Sequence, residues 1–107
     1  MRRIDFKQIE DRLLAILAEM EEQPEVAVHY EPGLIPYDSE MRQLREFIEV
    51  GGEYGIAYEA IVASLEHYPF RLSGITAVKL LELGLTFRFK TDREEDSAFD
   101  FTDENGE

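Results

Sequence analysis

The chain has 107 residues, 24 acidic and 11 basic, with a formal charge of −13 when histidine is neutral. That length supports one domain with one modest core, and that charge argues against a phosphate backbone or an anionic membrane surface as the direct ligand. With no cysteine in the sequence, disulfides, Cys-ligated zinc and thiol catalysis are excluded, and only His29 and His67 offer an imidazole.

The first predicted element runs from about Ile4 to Glu22. Phe6, Ile9, Leu13, Ile16, Leu17 and Met20 fall on one stripe at helical spacing, with Lys7, Asp11, Glu19 and Glu22 off it. Asp5 caps this helix or sits in its first turn, and Pro24 stops it. Its longest apolar run, Leu13 to Ala18, is bounded by charges. That run is shorter than a signal-peptide core or a membrane span, so the chain reads as cytoplasmic.

Residues 23–38 contain three prolines and a glycine and read as a loop. Val26, Val28 and Tyr30 alternate, which leaves a short strand as the alternative there. Ser39 is the expected N-cap of a second helix, Glu40 to Val50, with Met41, Leu44, Phe47 and Ile48 facing inward. Arg42 and Glu46, and Arg45 and Glu49, are i,i+4 pairs in the weaker orientation, worth at most about 0.2–0.5 kcal/mol each. Gly51 and Gly52 end that helix.

A third helix follows from Glu53 to about His67. Tyr54, Ala57, Tyr58, Ile61, Val62 and Leu65 share its broad apolar face, and Glu53 favours its N-terminal dipole. Ile56, Ala60 and Ala63 form a second strip roughly opposite. Two apolar sides make this helix the expected centre of the bundle, with an exposed binding or dimer surface as the alternative. Ser73 caps a fourth helix, Gly74 to Leu83, with Gly84 as its stop. Ile75, Val78, Leu80, Leu81 and Leu83 surround it, interrupted only by Lys79 and Glu82, so it is expected to be well buried. Beyond it, LTFRFK alternates, and Leu85, Phe87 and Phe89 would share one face of a strand paired with Val26–Tyr30. The same residues could instead extend the helix, at about 1 kcal/mol for the glycine. The fold class is therefore mainly α: a small four-helix, or five-helix, bundle with a β-hairpin as the minor alternative. Residues 1–90 form the single helical domain. Residues 91–107 form an acidic tail expected to be mobile.

Little in the sequence supports catalysis. The two histidines are far apart, and Ser39 and Ser73 are accounted for as caps. Gly51-Gly52-Glu53 offers glycines at a helix start but sets an acid where a phosphate would bind. Glu59 and Glu66 lie seven apart on one helix edge, and a third reading, an enzyme built on that carboxylate pair, needs one of them buried with a raised pKa. Asp92, Glu94, Asp96, Asp100 and Asp103 fall near calcium-loop spacing, but Ser97 stands where the tight turn wants glycine, and Asp103 stands in place of the last glutamate. No metal and no cofactor is expected. His67 suits a helix C-terminus, and His29 has no assigned role. What remains is an acidic surface interleaved with aromatics: Glu53, Tyr54, Tyr58, Glu59 and Glu66 on the third helix, beside Glu46 and Glu49 of the second. Rim tyrosines are common interface anchors, and surface carboxylates speed association with basic partners.

The run Phe47-Ile48-Glu49-Val50-Gly51-Gly52-Glu53-Tyr54-Gly55-Ile56-Ala57-Tyr58-Glu59 resembles a pattern in small helical immunity proteins of bacterial polymorphic toxin systems. The likeness is to the MafI-type family and related contact-dependent inhibition immunity proteins, over roughly residues 40–85. The proline-rich loop and the acidic tail stand outside it. The resemblance implies a cytoplasmic protein without enzymatic activity. Such a protein binds the C-terminal toxin domain, often a nuclease, delivered by a neighbouring cell and blocks its active site or an exosite. Glu46, Glu49, Glu53, Glu59 and Glu66 are then the expected charge contacts, with Tyr54 and Tyr58 as anchors. The alternative is an acidic secretion chaperone or adaptor that escorts its partner without inhibiting it.

Overall fold

The computed structural model describes the backbone of residues 5–99 and the side chains of residues 5–87. Four α-helices form a mainly α bundle: α1 Phe6–Glu21, α2 Tyr37–Glu49, α3 Tyr54–His67 and α4 Gly74–Phe99. A short 3-10 helix, Pro24–His29, links α1 to α2. No strand occurs among the described residues.

Helix α1 is the centre of the bundle, because α2, α3 and α4 all pack against it. Asp5 is its N-cap and accepts a hydrogen bond from the Gln8 amide at 3.1 Å, which satisfies one of the free donors at the helix start. Leu13, Ile16, Leu17 and Met20 are wholly buried. They meet Met41, Leu44 and Ile48 from α2, Ala57 and Ile61 from α3, and Leu83 from α4. Burying a leucine or isoleucine side chain stabilises by about 1.5–3 kcal/mol, so this stripe is the main source of cohesion. The expectation that α3 holds the central position is thereby corrected. Its second strip, Ile56, Ala60 and Ala63, is not covered: Ile56 and Ala63 face solvent and Ala60 is half-buried.

The chain turns sharply after α1. Gln23 is buried, and its side-chain amide donates to the carbonyls of Glu19 and Arg71 at 2.9 and 2.7 Å. Its carbonyl oxygen accepts from the Arg71 N–H at 2.9 Å. One side chain thus ties the end of α1 to the α3–α4 connection. Pro24 opens the 3-10 helix at its first position, where its missing N–H costs nothing. The strand alternative for Val26–Tyr30 gives way to this turn of helix, which buries Val26 and leaves Val28 exposed.

Helix α2 begins three residues earlier than expected. Pro36 is its N-cap, and Ser39 is its third residue rather than the cap. The early start buries Tyr37, whose hydroxyl donates to the Met20 carbonyl at 2.7 Å. After α2 the chain reverses through Gly52, whose φ of 61° suits a residue without Cβ. The Glu53 N–H then donates back to the Phe47 carbonyl at 2.8 Å.

Helix α4 departs most from expectation. Ser73 does cap it, accepting from the Thr76 N–H at 3.3 Å. However, the helix runs on through Gly84 to Phe99, so Gly84 is not a stop; the residues after it extend the helix, as in the helical reading of them, and form no hairpin with residues 26–30. A Cβ at Gly84 would sit 2.8 Å from the Tyr58 hydroxyl oxygen. The glycine thus leaves room for the end of the Tyr58 side chain and does not mark a turn. The expected full burial of α4 is also corrected: only Leu83 and Thr76 are buried, and Ile75, Val78 and Leu81 face solvent. The backbone is helical across position 91, and residues 100–107 of the expected tail lie outside the described residues. No described helix is long and apolar enough to cross a membrane.

Candidate protein-binding surface

From Glu46 to Phe70 the chain carries five glutamates and no lysine, arginine or aspartate. All five, Glu46, Glu49, Glu53, Glu59 and Glu66, are exposed. Helical periodicity explains why. The residues that pack inward on α2 are Met41, Leu44 and Ile48, and on α3 Ala57, Ile61 and Ser64. At about 100° per residue, Glu46 on α2 and Glu59 and Glu66 on α3 fall on the opposite sides of their helices. Glu53 sits in the α2–α3 turn as the N-cap residue of α3 but makes no side-chain cap bond.

Four of the six described cations are ion-paired, and Lys79 forms no ion pair but lowers the Glu19 pKa from α4. Lys7 pairs with Asp11, Arg12 with Glu82 and Arg71 with Glu25. Arg45 is the most committed. Its guanidinium grips Glu21 of α1 with two hydrogen bonds, at 3.0 and 2.6 Å, and reaches Glu49 at 2.8 Å. These carboxylates hold its pKa above the usual arginine value, Glu21 first. The Arg45–Glu49 pair expected from spacing is therefore present, within a larger bridge between helices. Arg42 instead reaches back to Ser39 at 3.3 Å rather than forward to Glu46. Glu46, Glu53, Glu59 and Glu66 form no ion pair with a described cation. The field along the backs of α2 and α3 is accordingly negative, the arrangement that attracts a basic surface.

Tyr54 and Tyr58 are half-buried between helices. The Tyr54 ring lies 6.2 Å from Phe6 and its hydroxyl donates to Glu10 at 3.3 Å. Loss of hydration, then the Glu10 charge, raises the pKa of that phenol. The Tyr58 ring packs 5.0 Å from Phe87 over Gly84. Both residues thus fasten α3 to its neighbours while keeping one edge in solvent.

Two carboxylates that the sequence reading passed over organise the interior. Glu40 receives the Tyr30 hydroxyl at 2.5 Å and the Ser64 hydroxyl at 2.9 Å, joining the 3-10 segment, α2 and α3. Tyr30 stacks on Tyr68 at 3.8 Å and meets Tyr37 edge-on. Burial, reinforced by Glu40, pushes the Tyr30 phenol well up. Glu19 accepts from the Ser73 amide and hydroxyl at 2.9 and 2.7 Å and from the Thr76 hydroxyl at 2.6 Å. Its charge also lies at the N-terminus of α4, where the helix dipole favours an anion. These bonds, Thr76 first, lower the Glu19 pKa. No local signal marks either carboxylate, because their partners lie 10 to 57 residues away. His67 ends α3 edge-on to the Tyr68 ring, and His29 is exposed on the 3-10 segment. Among the described residues no group of three or more histidine, aspartate or glutamate residues could hold a metal ion. The calcium-like spacing of residues 92–103 lies beyond the described side chains. The chain matches no family model, no curated protein and no solved structure.

Proposed function

We propose that this chain is an immunity protein that binds and neutralises a cognate bacterial toxin domain. It acts by steric and electrostatic blocking, without turnover. The observation that carries the reading is the set of exposed carboxylates without an ion pair among the described residues on α2, α3 and the turn between them, Glu46, Glu53, Glu59 and Glu66, with Glu49 shared with Arg45. Nucleases present basic surfaces because their substrate is a polyanion, so an acidic inhibitor mimics the charge that such a toxin already recognises. The resemblance of residues 47–59 to contact-dependent inhibition immunity proteins supports the same reading. On this view the partner is basic, and Tyr54 and Tyr58 add apolar area at the edge of the contact.

The test is co-expression with the toxin-like domain encoded beside this gene, scoring survival and co-purification together. Survival with a salt-sensitive complex supports immunity. Binding without protection moves the protein to the class of acidic chaperones and adaptors, and the absence of both binding and rescue overturns the reading. Within the complex, Glu59→Lys with Glu66→Lys should slow association and flatten its salt dependence, since exposed charges act through a screening length of about 10 Å at 0.1 M salt. Association unchanged at low salt removes these two residues from the interface.

A further inference from the structure

Helix α4 carries an apolar stripe that the bundle leaves open. Ile75, Val78, Leu81 and Leu85 are 73, 52, 68 and 67% exposed. Their spacing of three, three and four residues aligns them along one side of the helix, over about three turns or 15 Å at about 1.5 Å per residue. Isolated exposed aliphatics are ordinary, whereas a contiguous row marks an interaction site. The stripe is not the reverse of a loosely held helix. Glu19 clamps the N-terminus of α4, Arg12 of α1 pairs with Glu82 at 3.1 Å, and Tyr58 meets Gly84. Its position is fixed, and no described residue covers its outer face.

The charges on the α3 side of the stripe indicate what covers it; its far side is bordered by Lys79 and by Glu82, which Arg12 pairs. Tyr58 sits level with Gly84 and Phe87, and a six-residue connection joins α3 to α4, so the two helices run antiparallel. On α4, Leu81 is the stripe residue next round from Gly84, about 60° toward solvent at about 100° per residue. On α3, Glu59 and Glu66 lie about 80–100° round from Tyr58, also toward solvent. The α3–α4 groove therefore has a carboxylate rim on one side and an aliphatic row on the other. A second copy of this chain would set that rim, and a charge of −13, against its own like, which opposes pairing.

We propose that the outer face of α4, with the Glu59 and Glu66 rim, docks an amphipathic helix of a partner protein whose apolar stripe is flanked by lysine or arginine. This deepens the toxin-binding reading and rests on it only for the identity of the partner. The partner's apolar residues cover Ile75, Val78, Leu81 and Leu85, and its cations meet Glu59 and Glu66. None of the four aliphatic residues belongs to the acidic set read from the sequence, so the α4 face is a separate energetic contribution: charge brings the partner in, and the aliphatic row holds it.

The test uses the full chain and two synthetic helical peptides, one with a leucine stripe flanked by lysines, one with the same lysines and no leucine stripe. Fluorescence anisotropy should show the first binding at least about tenfold more tightly than the second. Leu81→Glu with Leu85→Glu should weaken the first by about tenfold or more, while Val28→Glu, at an equally exposed site on the 3-10 segment, leaves it unchanged. Circular dichroism confirms that each variant stays folded. Equal binding of both peptides, or full binding by the α4 variant, overturns the proposal. So does a wild-type dimer that Leu81→Glu dissociates in sedimentation, which makes the occupant a second copy. Peptide binding that appears only after residues 100–107 are removed overturns it too, since the chain then covers its own stripe. Co-expression separates this inference from the immunity reading. Protection retained by the α4 variant defeats the docking face alone, and peptide binding without protection by the wild type defeats the immunity reading alone.

Discussion

In α1, Leu13, Ile16, Leu17 and Met20 recur at helical spacing and are wholly buried. In α4, Ile75, Val78, Leu81 and Leu85 also recur at helical spacing, and all four face solvent. The two helices are alike in apolar content on the page of the sequence. They differ in their neighbours: three helices surround α1, whereas α4 lies against α1 on one side and touches α3 where Gly84 lets Tyr58 approach. Periodicity reports that a side of a helix is apolar. Whether anything covers that side depends on which other elements pack there, and among the described residues none does.

Four comparisons sharpen that contrast, and the widest gap is between Leu13→Ala and Leu81→Ala. The first leaves a cavity in a wholly buried site and should lower stability by about 3 kcal/mol. The second removes an exposed side chain and should stay within about 0.5 kcal/mol. Urea unfolding midpoints compare them directly, and equal losses would mean that the α4 stripe is packed in solution. Gln23→Ala comes next, at about 2 kcal/mol, because it strands the Arg71 N–H and carbonyl that the buried amide satisfies and leaves the Glu19 carbonyl with the Glu22 N–H alone. Hydrogen exchange at the Arg71 amide should accelerate in that variant.

Glu19→Gln tests the clamp that holds α4 to α1, at about 1 kcal/mol near neutral pH. The folded-state pKa of Glu19 lies below its ordinary value. Its contribution is therefore full above the ordinary carboxylate range and is lost as pH falls through the folded value. Wild type should lose stability on acidification more steeply than Glu19→Gln, and parallel acid limbs would remove Glu19 from the clamp. The smallest effect is the coupling between positions 84 and 58. Alanine has the better helix propensity, but its Cβ would crowd the Tyr58 hydroxyl oxygen. Gly84→Ala should accordingly be more favourable in a Tyr58→Phe background than in wild type, by about 0.5 kcal/mol in a double-mutant cycle.

The same contrast explains what was legible in the residues. The inward faces of α1 and α2 could be read directly, since Ile9, Leu13, Met41, Leu44 and Ile48 each follow one unambiguous stripe. Asp5 and Ser73 could be read as caps for the same local reason. The role of Gly84 could not be read, because a glycine that ends a helix and a glycine that makes room for a side chain look identical without the partner tyrosine. The start of α2 was obscured because the reward for beginning early is burial of Tyr37 on a carbonyl seventeen residues away. Of the candidate surface, the outward position of the five glutamates followed from periodicity. The interhelical work of Tyr54, Tyr58, Glu19 and Glu40 did not, since each meets partners distant in the chain.

By itself, then, the sequence determined that this protein is a small helical bundle with a negative exterior. Those properties depend on local periodicity and on summed charge, and both are additive along the chain. The tertiary structure alone decided that α1 is the centre, which of the two readings after Gly84 holds, and that no described residue covers an aliphatic row beside a carboxylate rim. Those outcomes depend on which helix is left without a neighbour, and that is a property of the packed whole rather than of any segment.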